Sequence, residues 1–100
     1  MAEVIWSEPA LCDLDAIADY IALDKPAAAQ AWVERVFRHV EQLEQQPESG
    51  SVPKELRDDR YRQVVEPPAR IFYRYDCPHV YIVHVMRGER QLRKSVLKRS

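Results

Sequence analysis

Residues 8–43 read EPALCDLDAIADYIALDKPAAAQAWVERVFRHVEQL, and the link Leu23–Lys25 near their middle decides the fold. Ahead of it, Ala10, Leu14, Ile17, Ala18 and Ile21 recur at helical spacing. Leu11 lies at the edge of that stripe, and Glu8, Asp15 and Asp19 fall opposite it. The pattern predicts a helix over 8–23 with one apolar face. Ser7 stands where a capping side chain is needed, and Glu8 and Pro9 suit a first turn. Behind the link, Ala29, Val33, Val36, Phe37, Val40 and Leu43 predict a second amphipathic helix. Asp24 is its expected cap, Pro26 its first turn, and Pro47 stops it near residue 46. Glu34 and Arg38 stand four apart on its wet side, in the favourable order. Two amphipathic helices joined so tightly lie antiparallel. Neither stripe can remain in water, so the rest of the chain must cover them.

The cover is legible on both sides. Val4-Ile5-Trp6 is a short strand pattern. Pro47-Glu48-Ser49-Gly50-Ser51 is a loop signal. Beyond it, 60–66, 70–76 and 80–86 are rich in Val, Ile, Tyr and Phe and read as strands. Glu66-Pro67-Pro68-Ala69 and Asp76-Cys77-Pro78-His79 are turns too short to join anything but antiparallel neighbours. The order is β-α-α-β-β-β, an α+β chain with a helical hairpin packed on an antiparallel sheet. Residues 90–98 extend it as a short basic helix or tail. One domain spanning 1–100 is expected.

Composition narrows the chemistry. The 100 residues are 46% hydrophobic, ordinary for a folded chain. No apolar run approaches the roughly 20 residues of a membrane span. The N-terminus has no basic stretch leading into an apolar core, so a cytoplasmic location is expected. Cys12 and Cys77 show no CxxC spacing and read as free thiols; His39, His79 and His84 are scattered, so no metal site is expected. Gly50 and Gly88 are the only glycines, which excludes a glycine-rich phosphate loop and a dinucleotide fingerprint. GxSxG and HExxH are absent, and no cofactor is expected. Asp13, Asp15 and Asp19 read as the solvated flank of a helix.

The charge is lopsided. Residues 1–50 hold ten acids and three bases, a net of minus seven; residues 51–100 hold twelve bases and six acids, a net of plus six. The basic half interleaves Arg60, Arg62, Arg70, Arg74 and Arg87 with Tyr61, Phe72, Tyr73, Tyr75 and Tyr81. Such a surface suits an anionic partner, a nucleic acid or an acidic protein segment. His84 lies within the last strand pattern, where packing is the ordinary role of a lone histidine. Trp6 and Trp32 read as core or core-edge residues, with Trp32 and His39 flanking the second apolar stripe.

Several pieces in this order resemble the RelE/ParE superfamily of toxins from bacterial toxin–antitoxin modules. They are Val4-Ile5-Trp6-Ser7 with Ala10, Asp13 to Ala22, Ala31 to Leu43 with Pro47 and Gly50, Leu56 with Tyr61-Arg62, Arg70 to Tyr75, and Val80 to Val85 with Arg87-Gly88-Glu89-Arg90. The resemblance implies one of two activities. RelE-like members are metal-free, ribosome-dependent mRNA endonucleases, and Arg62, Arg70, Arg87 and Arg90 are the residues that would match their arginines. Such members place a tyrosine or histidine near the chain end for proton transfer, whereas no tyrosine or histidine follows His84 here. ParE-like members lack those groups and resemble this chain better in Asp13 to Ala22. For that branch the resemblance implies inhibition of DNA gyrase, with Arg70, Arg74, Arg87, Arg90, Arg93 and Lys94 as target-binding residues. It also implies a ParD-like antitoxin, a ribbon-helix-helix DNA-binding dimer whose disordered tail wraps the toxin, so that the toxin meets operator DNA only through the antitoxin. A third possibility is a binding relic of the same fold without toxicity.

Overall fold

The computed structural model describes residues 1–56 and 60–88. Its elements follow the expected order: β1 (Glu3–Trp6), α1 (Glu8–Ala22), α2 (Pro26–Glu41) with a 3₁₀ turn at Gln42–Glu44, β2 (Tyr61–Glu66), β3 (Ala69–Asp76) and β4 (His79–Arg87). The sheet order is β1-β4-β3-β2. β2, β3 and β4 form the antiparallel meander, and β1 adds to β4 in parallel, pairing Glu3–Trp6 with residues 79–82. The helix pair is thus a crossover that returns the chain to the sheet.

Local chemistry explains the element ends. The Ser7 Oγ accepts the Ala10 N–H at 3.1 Å, and Pro9 takes the first turn of α1. The cap of α2 departs from expectation: Lys25, not Asp24, is the N-cap and supplies no side-chain bond. Pro26 makes this workable, since its ring nitrogen has no hydrogen to satisfy. Regular α-helix ends at Glu41, short of 46, and tightens into the 3₁₀ turn.

The helices cover one sheet face. Ala10, Leu14 and Ile17 of α1 and Trp32, Val36 and Val40 of α2 join Leu43, Val64, Ala69, Ile71, Tyr73, Val80, Ile82 and Val85 in one buried cluster. Trp32 is 1% exposed and its indole N–H donates to the Glu66 carbonyl at 3.1 Å, so it is a core anchor. Phe37, placed in the apolar stripe by spacing, is instead 42% exposed, its ring tilted against Trp6 at 5.2 Å. The bulky indole turns the buried stripe toward the residue 32 side of α2, which carries Phe37 to the rim.

The Glu66 carboxylate fastens α2 to β2. Its two oxygens meet Arg35 Nε at 3.1 Å and His39 Nδ1 at 3.2 Å. At the far end of the sheet the loop before β2 is pinned by Gly50, whose N–H donates to the buried Tyr73 hydroxyl at 2.9 Å. Burial raises the Tyr73 phenol above its ordinary 10.0, although the Gly50 N–H and the nearby Arg62 charge pull the other way. A Cβ on Gly50 would lie 2.5 Å from the Tyr73 hydroxyl and 2.6 Å from the Gln63 carbonyl oxygen. Gly50→Ala is therefore expected to destabilise the fold by about 1–3 kcal/mol through overpacking. Urea unfolding measures this, and a loss below about 0.5 kcal/mol, the size of an ordinary surface change, would show that the loop simply moves aside.

Candidate functional site

β3 sorts the arginines by alternation. Ala69, Ile71 and Tyr73 face the helices, so Arg70, Phe72 and Arg74 face the other way. That helix-free face has its own apolar cluster of Tyr61, Phe72, Val83 and Met86, flanked by Leu56 and Tyr81. Register places Arg70 beside Met86, Phe72 beside His84 and Arg74 beside Tyr81. This aromatic and cationic face is the candidate site.

Each arginine is engaged. Arg70 is gripped from the 51–56 segment: its Nη1 and Nη2 meet the two Glu55 carboxylate oxygens at 3.1 and 2.7 Å. Nη1 also donates to the Gln63 side-chain carbonyl at 3.2 Å, and the guanidinium lies 5.1 Å from the centre of the Phe72 ring. The two side chains are only 11% and 15% exposed. Backbone bonds between Ser51 and Gln63, at 3.0 and 2.7 Å, hold this segment along the outer edge of β2. Arg74 pairs with Asp76 at 2.9 Å and lies 4.7 Å over Tyr81.

The structure separates the other two arginines from these. Arg62 pairs in register with Tyr73, on the helix side. It donates to the Glu48 and Gly50 carbonyls at 3.2 and 2.9 Å, which makes it a loop fastener. Arg87 pairs with Ala69, also on the helix side, and stacks over Tyr20 of α1 at 4.0 Å. Of the arginine set Arg62, Arg70, Arg87 and Arg90, therefore, Arg70 stands on the opposite face from Arg62 and Arg87. Arg90, Arg93 and Lys94, and the helix or tail expected at 90–98, lie outside the described residues.

One pair was invisible in sequence. The Asp13 carboxylate lies 2.6 Å from His84 Nδ1 and accepts the Val85 N–H at 3.2 Å. Asp13 is thus a fastener of α1 to the sheet, not a member of the solvated flank with Asp15 and Asp19. β1 pairs with β4 only as far as Ile82, so the edge of 83–87 is open for α1 to cross. Asp13 supplies there the acceptor that a strand would have given. His84 is 8% exposed and its ring stacks on Phe72 at 5.8 Å. Alternating apolar residues gave a hint of a half-buried strand, but a separation of 71 positions carried no signal for the pairing.

Among the described residues no cluster of three or more His, Cys, Asp or Glu side chains could hold a metal ion. Cys12 and Cys77 are free and exposed. Among the described residues no helix is long and apolar enough to cross a membrane.

A family model described as ParE toxin of type II toxin-antitoxin system, parDE, matches residues 4–92. Toxin RelE2 of Caulobacter vibrioides is 37% identical over 91 residues, which cover 90% of this chain and 99% of that protein. A solved chain described as the chromosomal ParDE TA system from P. aeruginosa aligns with a TM-score of 0.73 and 27% identity, covering 89% of this chain and 98% of its own. The family match runs through both helices and all four strands, and the chain belongs to the ParE toxin family of type II toxin–antitoxin systems.

Proposed function

We propose that this toxin acts on DNA gyrase and so blocks replication, and that a ribbon-helix-helix antitoxin with a disordered tail restrains it. Membership of a toxin–antitoxin family implies a cognate antitoxin; the target and the antitoxin's architecture are our reading. The observation that carries it is the state of Arg70. A ribonuclease would need that guanidinium for a scissile phosphate, with further cations converging on the same atoms. Here Glu55 holds Arg70 in a two-pronged ion pair, and Arg62 and Arg87 face away from it. His84, the titratable ring on the same face, is buried against Phe72 and engaged by Asp13. The arrangement suits binding more than phosphoryl transfer. The basic composition of the second half suits a target that carries DNA, and an acidic antitoxin tail that folds as it binds.

The relative named Toxin RelE2 keeps ribosome-dependent mRNA cleavage as the second reading. Two assays on the purified chain separate them. Equimolar toxin is expected to abolish supercoiling by gyrase, with antitoxin restoring it, while primer extension on translated mRNA shows no new ends. Intact supercoiling together with cuts at the ribosomal A site, lost in Arg70→Ala, would replace our reading with the second.

A further inference from the structure

We infer that the junction of α2 with β2 carries an oxyanion-binding site, built by Arg35, Arg38 and Gln42 around the fixed Glu66 carboxylate. These side chains and His39 line a cavity of about 310 Å³ where the second half of α2 meets the end of β2. The spacing makes the site: 35, 38, 39 and 42 are three or four apart and share one helix face. Residues 1–50 contain only three bases, Lys25, Arg35 and Arg38, and two of them converge here. That is a local concentration of positive charge in an otherwise acidic half.

One of the donors, Arg35, is held ready. Glu66 is fixed from two sides, since its backbone carbonyl takes the Trp32 indole N–H and its carboxylate takes Arg35 and His39. Glu66 engages Arg35 through Nε, which leaves the two terminal nitrogens of the fork directed elsewhere. The Arg38 and Gln42 side chains are exposed and point no hydrogen bond or ion pair at another side chain among the described residues. Two guanidiniums against one carboxylate leave one net positive charge, before any contribution from His39. An anion with two or more oxygens meets Arg35 and Arg38 together and the Gln42 amide at the mouth. Because Glu66 already orders Arg35, less side-chain freedom is lost on binding. The depression is open to solvent, which lets a carboxylate or phosphate group enter from outside. The group has two possible sources, an acidic side chain of a protein partner or a free phosphate ion. Neither depends on which enzyme the toxin attacks.

Titration of the labelled chain with sodium phosphate and with a triglutamate peptide, followed by two-dimensional NMR, tests this at physiological salt. Saturating shifts confined to residues 35–42 and 66 are expected with at least one probe. Saturation by the peptide alone supports a protein carboxylate, by phosphate alone a free ion, and by both a site that accepts either. Arg38→Ala removes an exposed side chain and is expected to weaken binding about tenfold, the worth of one charge-assisted contact. Lys25→Ala, at the opposite end of α2, is expected to leave binding unchanged. Non-saturating shifts spread over all basic residues, or unaltered binding in a folded Arg38→Ala, would overturn the inference.

Discussion

Glu55→Ala is expected to destabilise the protein by about 2–3 kcal/mol, and Arg70→Ala by a similar amount. The reason is desolvation. Both side chains are nearly buried, and each supplies the other with part of the hydration it lost. Removing the carboxylate leaves a guanidinium on the Phe72 ring with Gln63 as a weaker acceptor. Removing the guanidinium takes a two-pronged donor from a carboxylate that is only 15% exposed. The double variant Glu55→Ala/Arg70→Ala is therefore expected to lose less than the sum of the two single losses, because the contact between the two groups is then lost once rather than counted twice. Urea unfolding of the four proteins closes this cycle. Additive losses would mean that the two groups do not hold each other. The cycle also bears on function, since a clamped Arg70 is what argues against phosphate chemistry at this face.

The second large effect is expected at the open edge of β4. Asp13→Ala removes one oxygen that serves both the His84 ring and the Val85 N–H. Leaving a strand N–H and a buried imidazole without that acceptor is expected to cost about 2–3 kcal/mol. Asp13→Asn keeps a carbonyl oxygen at the same reach and is expected to recover roughly half of that loss, the charge-assisted part being gone. Hydrogen exchange adds a local readout: the Val85 amide is expected to lose protection in Asp13→Ala, while amides in the centre of β3 keep theirs relative to global stability. Unchanged Val85 protection would show that the edge is covered by other means.

One effect lives where α1 meets β4 and the other where the 51–56 segment meets β2 and β3, and both were hidden from periodicity. Helices and strands were legible because burial imposes their repeat on the residue order. Leu14, Ile17, Val36 and Val40 are spaced for a helix face, and Pro67-Pro68 and Cys77-Pro78 mark the two turns of the meander. Trp32 was legible as a core residue from its size. Phe37 was misplaced by spacing alone, because its position lies near the boundary of the stripe and a neighbouring indole filled the space first.

Residue order by itself determined the β-α-α-β-β-β sequence of elements, the antiparallel hairpin forced by a link at Leu23–Lys25, and the partition of charge between the halves. Tertiary structure decided which groups meet. The clearest case is His84. Strict alternation from Val80 and Ile82 would send it toward the helices, yet β4 pairs Ile82 with Tyr73 and His84 with Phe72, so Val83 is an extra residue. One inserted residue turns every later side chain to the other face, since a strand repeats every two residues. It puts His84 on the helix-free face and returns Val85 to the core. The same register sets Arg70 and Arg74 apart from Arg62 and Arg87. A hydrophobic pattern specifies that a face is buried, but contacts such as Asp13 with His84 and Glu55 with Arg70 depend on how strands slide and loops close, which no local spacing encodes.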